Sequence, residues 1–340
     1  MARLARVSAA TVSLALRGNP RVSEETRARV LKAAKQLRYI PNPNARHLAT
    51  GKTEHVALIP GANMSSLFSD GFYSVVLNGA GQRIHEEGYS LVLTPCLRGA
   101  NVKSVEQLMA RREVDGILLL GEVDTPIIDR LLETELPMVM IDNYKKDRPI
   151  TAVVNDNSGG VAKAVKYLYE LGHRRIAYIG ETKDTTFGRD TFEGYSAALS
   201  ELGLPYQPDY VYLTIISIDA AYEAMRKLLY VRPMVTAVFA ATDAMAIGAM
   251  KAIREAGMSI PGDISVVGMD DISMAAHTDP PLTTVRVRKE EMGRIAAAEL
   301  LARVQGKDGC KDGDENGDQG RIIVLENELV IRGSSGPSRE

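Results

Sequence analysis

From His55 onward, short apolar runs alternate with amphipathic helical stretches, and no other feature of the chain restricts its fold as much. The runs VALIP (56–60), SLVLTP (90–95), GILLL (116–120), MVMID (138–142), RIAYIG (175–180), TAVFA (236–240) and ISVVGMD (264–270) read as buried strands. Helical patterns separate them, among others at 72–87, 156–171, 190–202, 243–256 and 288–305, and a last strand pattern spans 321–331. Such alternation implies doubly wound parallel sheets. The strands are too many for one convenient sheet, so two α/β lobes are expected over residues 55–332.

Residues 1–43 have a different texture. Ala2 to Ala5 reads as the end of a helix. Ala9 to Leu16 is a second, opened by Ser8, a good N-cap. Glu24 to Leu37 is a third, with Ser23 as cap, Glu24 and Glu25 at the positive end of its dipole, and Val30, Ala34 and Leu37 on one face. This is a small all-α head. Residues 44–54 form a short segment and linker, and 333–340 read as a disordered tail. Charge follows the same division: residues 1–53 carry +9 and the remainder −11, within a net charge of −2. A basic head on an acidic body points to a nucleic-acid-binding module.

Several classes are disfavoured. Cys96 and Cys310 lie far apart, giving neither metal spacing nor a disulfide framework. Arg3, Arg6 and Arg17 interrupt the N-terminal apolar residues, so no signal peptide is expected, and no stretch approaches a membrane span. A cytoplasmic protein is expected. Glycine-rich phosphate loops, GxSxG and HExxH are absent, and the histidines at 47, 55, 85, 173 and 277 are scattered; His173 reads as structural. No catalytic residues and no cofactor are expected. Within the polar segment 306–320, Asp312, Asp314, Asn316 and Gly317 match the first half of a calcium loop. Ile323 stands where that loop needs a bidentate Glu, so a solvated insertion is the default and no metal is assigned.

The segments VS-x-x-TVS, RVSEETR, YIPN and A-x-x-LA in residues 2–51, followed by ELGHRRIAYIG, TAVFAATDAMAIGAM, PGDISVVGMDD, DPPLTTV and ELVIRG, resemble the LacI/GalR repressor family over nearly the whole chain. The resemblance implies a helix-turn-helix DNA-binding head and a sensor with the fold of periplasmic sugar-binding proteins. In a helix-turn-helix the second helix enters the major groove with its first residues at base edges. Those positions are Ala9, Ala10 and Leu14, which can pack on a thymine methyl but cannot make a bidentate hydrogen bond. Leu14 departs from the family's polar or basic residue, which leaves Arg21 as the best polar base contact. Thr11, Ser13, Arg17, Ser23 and Thr26 match phosphate-touching positions. The resemblance further implies that the segment from Asn44 to Ala49, with Asn42 and Ala45 beside the DNA, orders on the operator and inserts Leu48 into the minor groove.

Two departures concern the head. Met1 falls where the family's first helix already has residues before it, so the start of translation is expected upstream. Arg6 occupies a turn that normally holds Gly, and a left-handed Arg costs about 1 kcal/mol.

Ligands of open α/β sheets bind beyond the carboxyl ends of strands. Asp142 and Asn143, Asp156, Thr242 and Asp270 lie at such ends and match the family's ligand positions. Carboxylates and amides there suit the hydroxyls of a sugar-like metabolite. For any single one, a helix cap is an equal alternative. Phe72 and Tyr73 begin a helix where the family places aromatic rings over the ligand. The family's arginine clamp position holds Thr191, and the nearest guanidinium is that of Arg189. The functional expectation is a transcriptional regulator, a repressor by the family's habit, that binds a double-stranded operator as a homodimer. A small polar effector between the lobes would control it. The alternative is a solute-binding protein without a DNA function. Without a heptad after ELVIRG, a tetramer-forming coil is not expected.

Overall fold

A computed structural model describes residues 1–16, 19–37, 39, 51–61, 67–68, 71–94, 113–231, 234–306 and 320–339. The chain forms two compact units, Met1–Thr53 and Glu54–Glu340.

The head unit holds α1 (Ala2–Ala5), α2 (Ala9–Leu16) and α3 (Glu24–Gln36). Ala5, Ala15, Val22, Val30 and Ala33 form its core, with Met1, Val7, Val12 and Leu16 packed against them. On α3 the inward face runs through Val30 and Ala33, whereas Leu37, expected on that face, is exposed because the helix ends at Gln36 and Leu37 is its C-cap. Arg6 ends α1 at φ 56°, ψ 47°, in the left-handed region that the sequence expectation assigned to it.

The second unit consists of two lobes, each built on one six-stranded sheet. Lobe 1 uses β1 (His55–Pro60), β2 (Ser90–Leu93), β3 (Gly116–Leu120), β4 (Met138–Ile141), β5 (Thr151–Asn155) and β11 (Ile322–Leu325), in the order β11-β5-β4-β3-β1-β2. Lobe 2 uses β6 (Ile176–Glu181), β7 (Val211–Thr214), β8 (Ala237–Ala240), β9 (Ser265–Asp270), β10 (Thr283–Arg286) and β12 (Glu328–Val330), in the order β12-β10-β9-β8-β6-β7. Pairing is parallel throughout lobe 1, as in the register Leu58↔Leu118, and antiparallel in lobe 2 at β10–β12. Central strands such as β3, β5 and β9 are buried along their whole length, while the edge strands β2 and β7 are half-exposed. That contrast follows from helices covering both faces of a parallel sheet.

Among the described residues, the α-helices of this unit are α4 (Tyr73–Glu86), α5 (Thr125–Leu132), α6 (Asn157–Glu170), α7 (Thr186–Glu201), α8 (Ile218–Leu228), α9 (Asp243–Glu255) and α10 (Lys289–Val304). The segment 321–331, read from sequence as one strand pattern, is two strands that belong to different sheets. α7 begins four residues earlier than its pattern suggested, because Thr185 caps it by accepting from the Gly188 amide at 3.0 Å. α4 and α10 approach closely through a reciprocal glycine pair. A Cβ on Gly79 would stand 2.1 Å from the Glu290 carbonyl, and one on Gly293 would stand 2.1 Å from the Val76 carbonyl.

The chain passes between lobes three times: from β5 to α6, from β10 to α10, and from β11 to β12. Residues 333–339 are not a loose tail. Ser334 is fully buried, donating to the Val266 carbonyl at 2.6 Å and accepting from the Thr283 amide at 2.8 Å. Ser338 donates its amide to the Leu171 carbonyl. These polar residues look like a solvated terminus by composition, yet their backbone and hydroxyls complete the amino-terminal end of the lobe 2 sheet.

Candidate functional site

On the head, Ala9, Ala10 and Leu14 are exposed and form one face of α2, with Ala15 buried opposite. The Ser8 hydroxyl accepts from the Thr11 amide at 3.1 Å and lies 2.9 Å from the Thr11 hydroxyl, so the start of α2 is held from within. Ser13 is half-exposed. Ser23 caps α3 and donates to the Thr26 hydroxyl at 3.0 Å. Arg21 is exposed, and its amide is fixed by the Asn19 side chain at 3.0 Å. Asn19 also accepts from Val22 and Arg27 through its carbonyl, which makes it the organiser of the turn before α3, a role the sequence reading missed. Arg17, Asn42, Ala45 and Leu48 lie outside the described residues, as does the 312–317 calcium-like segment.

In the second unit the carboxyl ends of both sheets meet. Glu122, just past β3, accepts from the Lys145 ammonium at 2.6 Å and, across the lobes, from the Thr186 amide at 3.1 Å. Tyr144, past β4, donates to Asp190 of α7 at 3.0 Å. Gly71 comes against Ile272 in the same region. These contacts bring the strand ends of the two lobes together, the place where a parallel sheet binds its ligand. Burial works to raise the Glu122 carboxyl, but the Lys145 ammonium and the Thr186 amide outweigh it and hold it below the ordinary range. Burial, and then the Asp190 carboxylate, push the Tyr144 phenol up to about 12, and burial lifts Asp190 itself.

The residues expected here divide into two groups. Phe72 is buried and Tyr73 half-buried at the start of α4, their rings edge-to-face at 5.3 Å. Asp142 (φ 59°) and Asp270 (φ 116°) both end strands in left-handed backbone, which is strained for a residue with a Cβ. Asp270 is itself buried, and the remaining residues cap helices or bond to neighbouring elements. Asp156 caps α6 by accepting from the Gly159 amide at 2.9 Å, and Thr242 caps α9 by accepting from Met245 at 3.2 Å. Asn143 is buried, donating to the Gly121 carbonyl and accepting from the Tyr144 amide. Arg189 turns back onto its own helix start, toward the carbonyls of Lys183 and Asp184 and the Thr186 hydroxyl. Thr191 is buried, accepting from the Tyr178 phenol at 2.9 Å and donating to the Phe187 carbonyl at 2.8 Å, so that phenol occupies the neighbourhood of the missing clamp. Glu122, Tyr144 and Asp190 were not anticipated. The strand-end argument that found Asp142 applies equally to Glu122.

Residues 1–42 match the model of bacterial regulatory proteins of the lacI family, and residues 165–335 match the periplasmic binding protein-like domain. The transcriptional regulator CelR of Thermobifida fusca is 36% identical, over 98% of this chain and 96% of its own. The chain belongs to the lacI family. It is a helix-turn-helix DNA-binding transcriptional regulator with a periplasmic-binding-protein-like sensor. Other lacI-family relatives include the repressor CytR of Escherichia coli K12, 32% identical over 97% of this chain and 94% of that protein. Among solved structures, the CelR–cellobiose complex superposes with a TM-score of 0.74 at 35% identity, covering 98% of each chain. The lac repressor dimer bound to operator and an anti-inducer superposes at 0.84 and 26%, covering 98% of this chain and 97% of that one. These relatives are named as regulators, not enzymes. No helix among the described residues is long and apolar enough to cross a membrane.

Proposed function

We propose that the chain is a repressor that binds a pseudo-palindromic operator as a homodimer and is released by an uncharged sugar of the cellobiose class held between its lobes. The observation that carries this reading is the meeting of strand ends from both sheets in one cleft, bridged by Glu122–Thr186 and Tyr144–Asp190. Asp142 and Asp270 would accept hydroxyl protons, and Phe72 and Tyr73 would cover the sugar ring, a task for which the chain has no tryptophan. Of the cationic side chains around the bridge, Lys145 pairs with Glu122, Arg189 turns to its own helix start, and Lys146 lies 5.7 Å from the centre of the Tyr144 ring. That favours an uncharged ligand over an anion. Ile215, Ile216 and Ile218 form an exposed apolar row on lobe 2 that would suit a subunit interface.

On DNA, Ala9, Ala10 and Leu14 would face the major groove and Arg21 would supply the polar base contact. Thr11, Ser13, Arg17, Ser23 and Thr26 would set the register on phosphates, and Leu48, with Asn42 and Ala45 beside it, would wedge the minor groove. Control is linkage: sugar binding selects a lobe arrangement in which the 44–49 segments cannot order on the operator.

The test is fluorescence anisotropy on DNA from upstream of the gene, with and without cellobiose and a panel of neutral mono- and disaccharides. Binding that a member of the panel reverses, and that Asp270→Asn renders irreversible, is expected. DNA binding insensitive to every sugar would reject the effector class, and absence of specific binding would reject the head assignment.

A further inference from the structure

Lys289 is the first residue of α10, the helix that returns the chain to lobe 1. A cation gains nothing from that position, since the helix dipole there is positive; Glu290 and Glu291, the next two residues, suit it. The side chain is nonetheless only 7% exposed. Its ammonium donates to the Asp270 carbonyl and, at 3.2 Å, to the Asp271 carbonyl. These residues close β9 of lobe 2, and both are left-handed, with φ 116° and 52°. Two consecutive non-glycine residues in this region persist only when their surroundings hold them.

The groups around them are largely occupied. Asp271 takes Arg286 at 2.7 Å and Arg332 at 2.6 Å. Asp243, fully buried, takes the Thr284 hydroxyl at 2.5 Å and the Ile272 amide at 2.8 Å. Burial lowers the proton affinity of Lys289 and raises that of Asp243, as two charges removed from water should behave. Asp270, Asp243 and Asp271 supply the negative field that keeps the ammonium in place, and Arg286 opposes it.

We propose that Lys289 is a positioning residue of the effector site: it holds the two carbonyls, fixes the left-handed turn that presents Asp270 to the cleft, and ties that turn to lobe 1. This rests on the reading that the cleft holds the effector. It identifies where an event at Asp270 is felt by the other lobe, namely at the start of the helix that crosses to it.

The experiment uses the full chain with Lys289→Met, Lys289→Gln and Asp270→Asn, read by residue-resolved hydrogen exchange and by calorimetric titration with cellobiose and the same sugar panel. In Lys289→Met the amides of Asp271 and Ile272 should exchange about tenfold faster or more, with β6 and β8 unchanged, and the bound sugar should weaken by about tenfold or more. Lys289→Gln, which keeps a neutral donor, should fall between and carries the same test if the methionine variant does not fold. Unchanged exchange at 271–272, acceleration spread evenly over lobe 2, or wild-type sugar affinity in a folded Lys289→Met each overturns the proposal. A wild-type chain that binds no sugar of the panel defeats the effector reading instead, and the exchange data still decide whether Lys289 holds the turn.

Discussion

His173 is buried at the amino-terminal end of the lobe 2 sheet, with Nδ1 3.0 Å from the Thr236 hydroxyl and Nε2 3.0 Å from the Gly336 carbonyl. A carbonyl can only accept, so a neutral ring protonated on Nε2 satisfies both contacts. Burial depresses its pKa, against the Gly336 bond. The folded state therefore keeps the ring neutral where the unfolded chain takes up a proton, and stability falls as pH drops below about 6.5. In thermal melts His173→Gln should lose less stability than the wild type as pH falls below about 6.5, the comparison cancelling the opposite contribution of buried Asp243, which takes up a proton in the folded state as pH drops. An identical decline in that variant would place the titrating group elsewhere. The same scale shows why the cleft was only half legible. A carboxylate or hydroxyl at a strand end is equally a helix cap, and Asp156 and Thr242 proved to be caps, whereas Asp142 and Asp270 stand in strained backbone that no motif announces. Lys289 carries no signal in RKEEMG; its burial arises because the chain crosses between lobes at that point.

At the scale of elements the reading from sequence was strong where a pattern was long and periodic. α4, α6, α9 and α10 fall within a residue or so of their expected spans. The boundary between β11 and β12 was invisible because both are short, half-exposed and joined by two residues, Glu326 and Asn327. The glycine contact between α4 and α10 was also hidden, since a glycine within a helix marks close approach only once the partner is known. Gly293→Ala should force the two helices apart, costing about 1–3 kcal/mol. A lowered melting temperature with unaltered operator-binding stoichiometry is expected. Ser23→Ala should remove the α3 cap and cost the head about 1 kcal/mol. Its weakening of DNA binding should be similar on operator and random DNA, measured at one salt concentration, because the cap supports the head without reading bases.

For the whole molecule, the division at Glu54 separates the +9 head from the acidic body. A fragment beginning at Glu54 should fold and retain sugar binding while losing all salt-dependent DNA affinity; a residual salt slope on operator DNA would show that the body contributes phosphate contacts. The lobes allow no comparable cut. Each sheet takes a strand from the segment 322–330, after all the other strands of both lobes have been laid down. On the ribosome this order has a consequence. The described helices of the head and their core, from Ala5 to Ala33, precede every strand of the body, whereas both sheets wait for β11 and β12 to emerge. A nascent or prematurely terminated chain thus presents its head before either half of its sensor is closed. Such a fragment would carry a single head without the second one that a palindromic site requires, leaving it only weak, phosphate-driven affinity that salt abolishes.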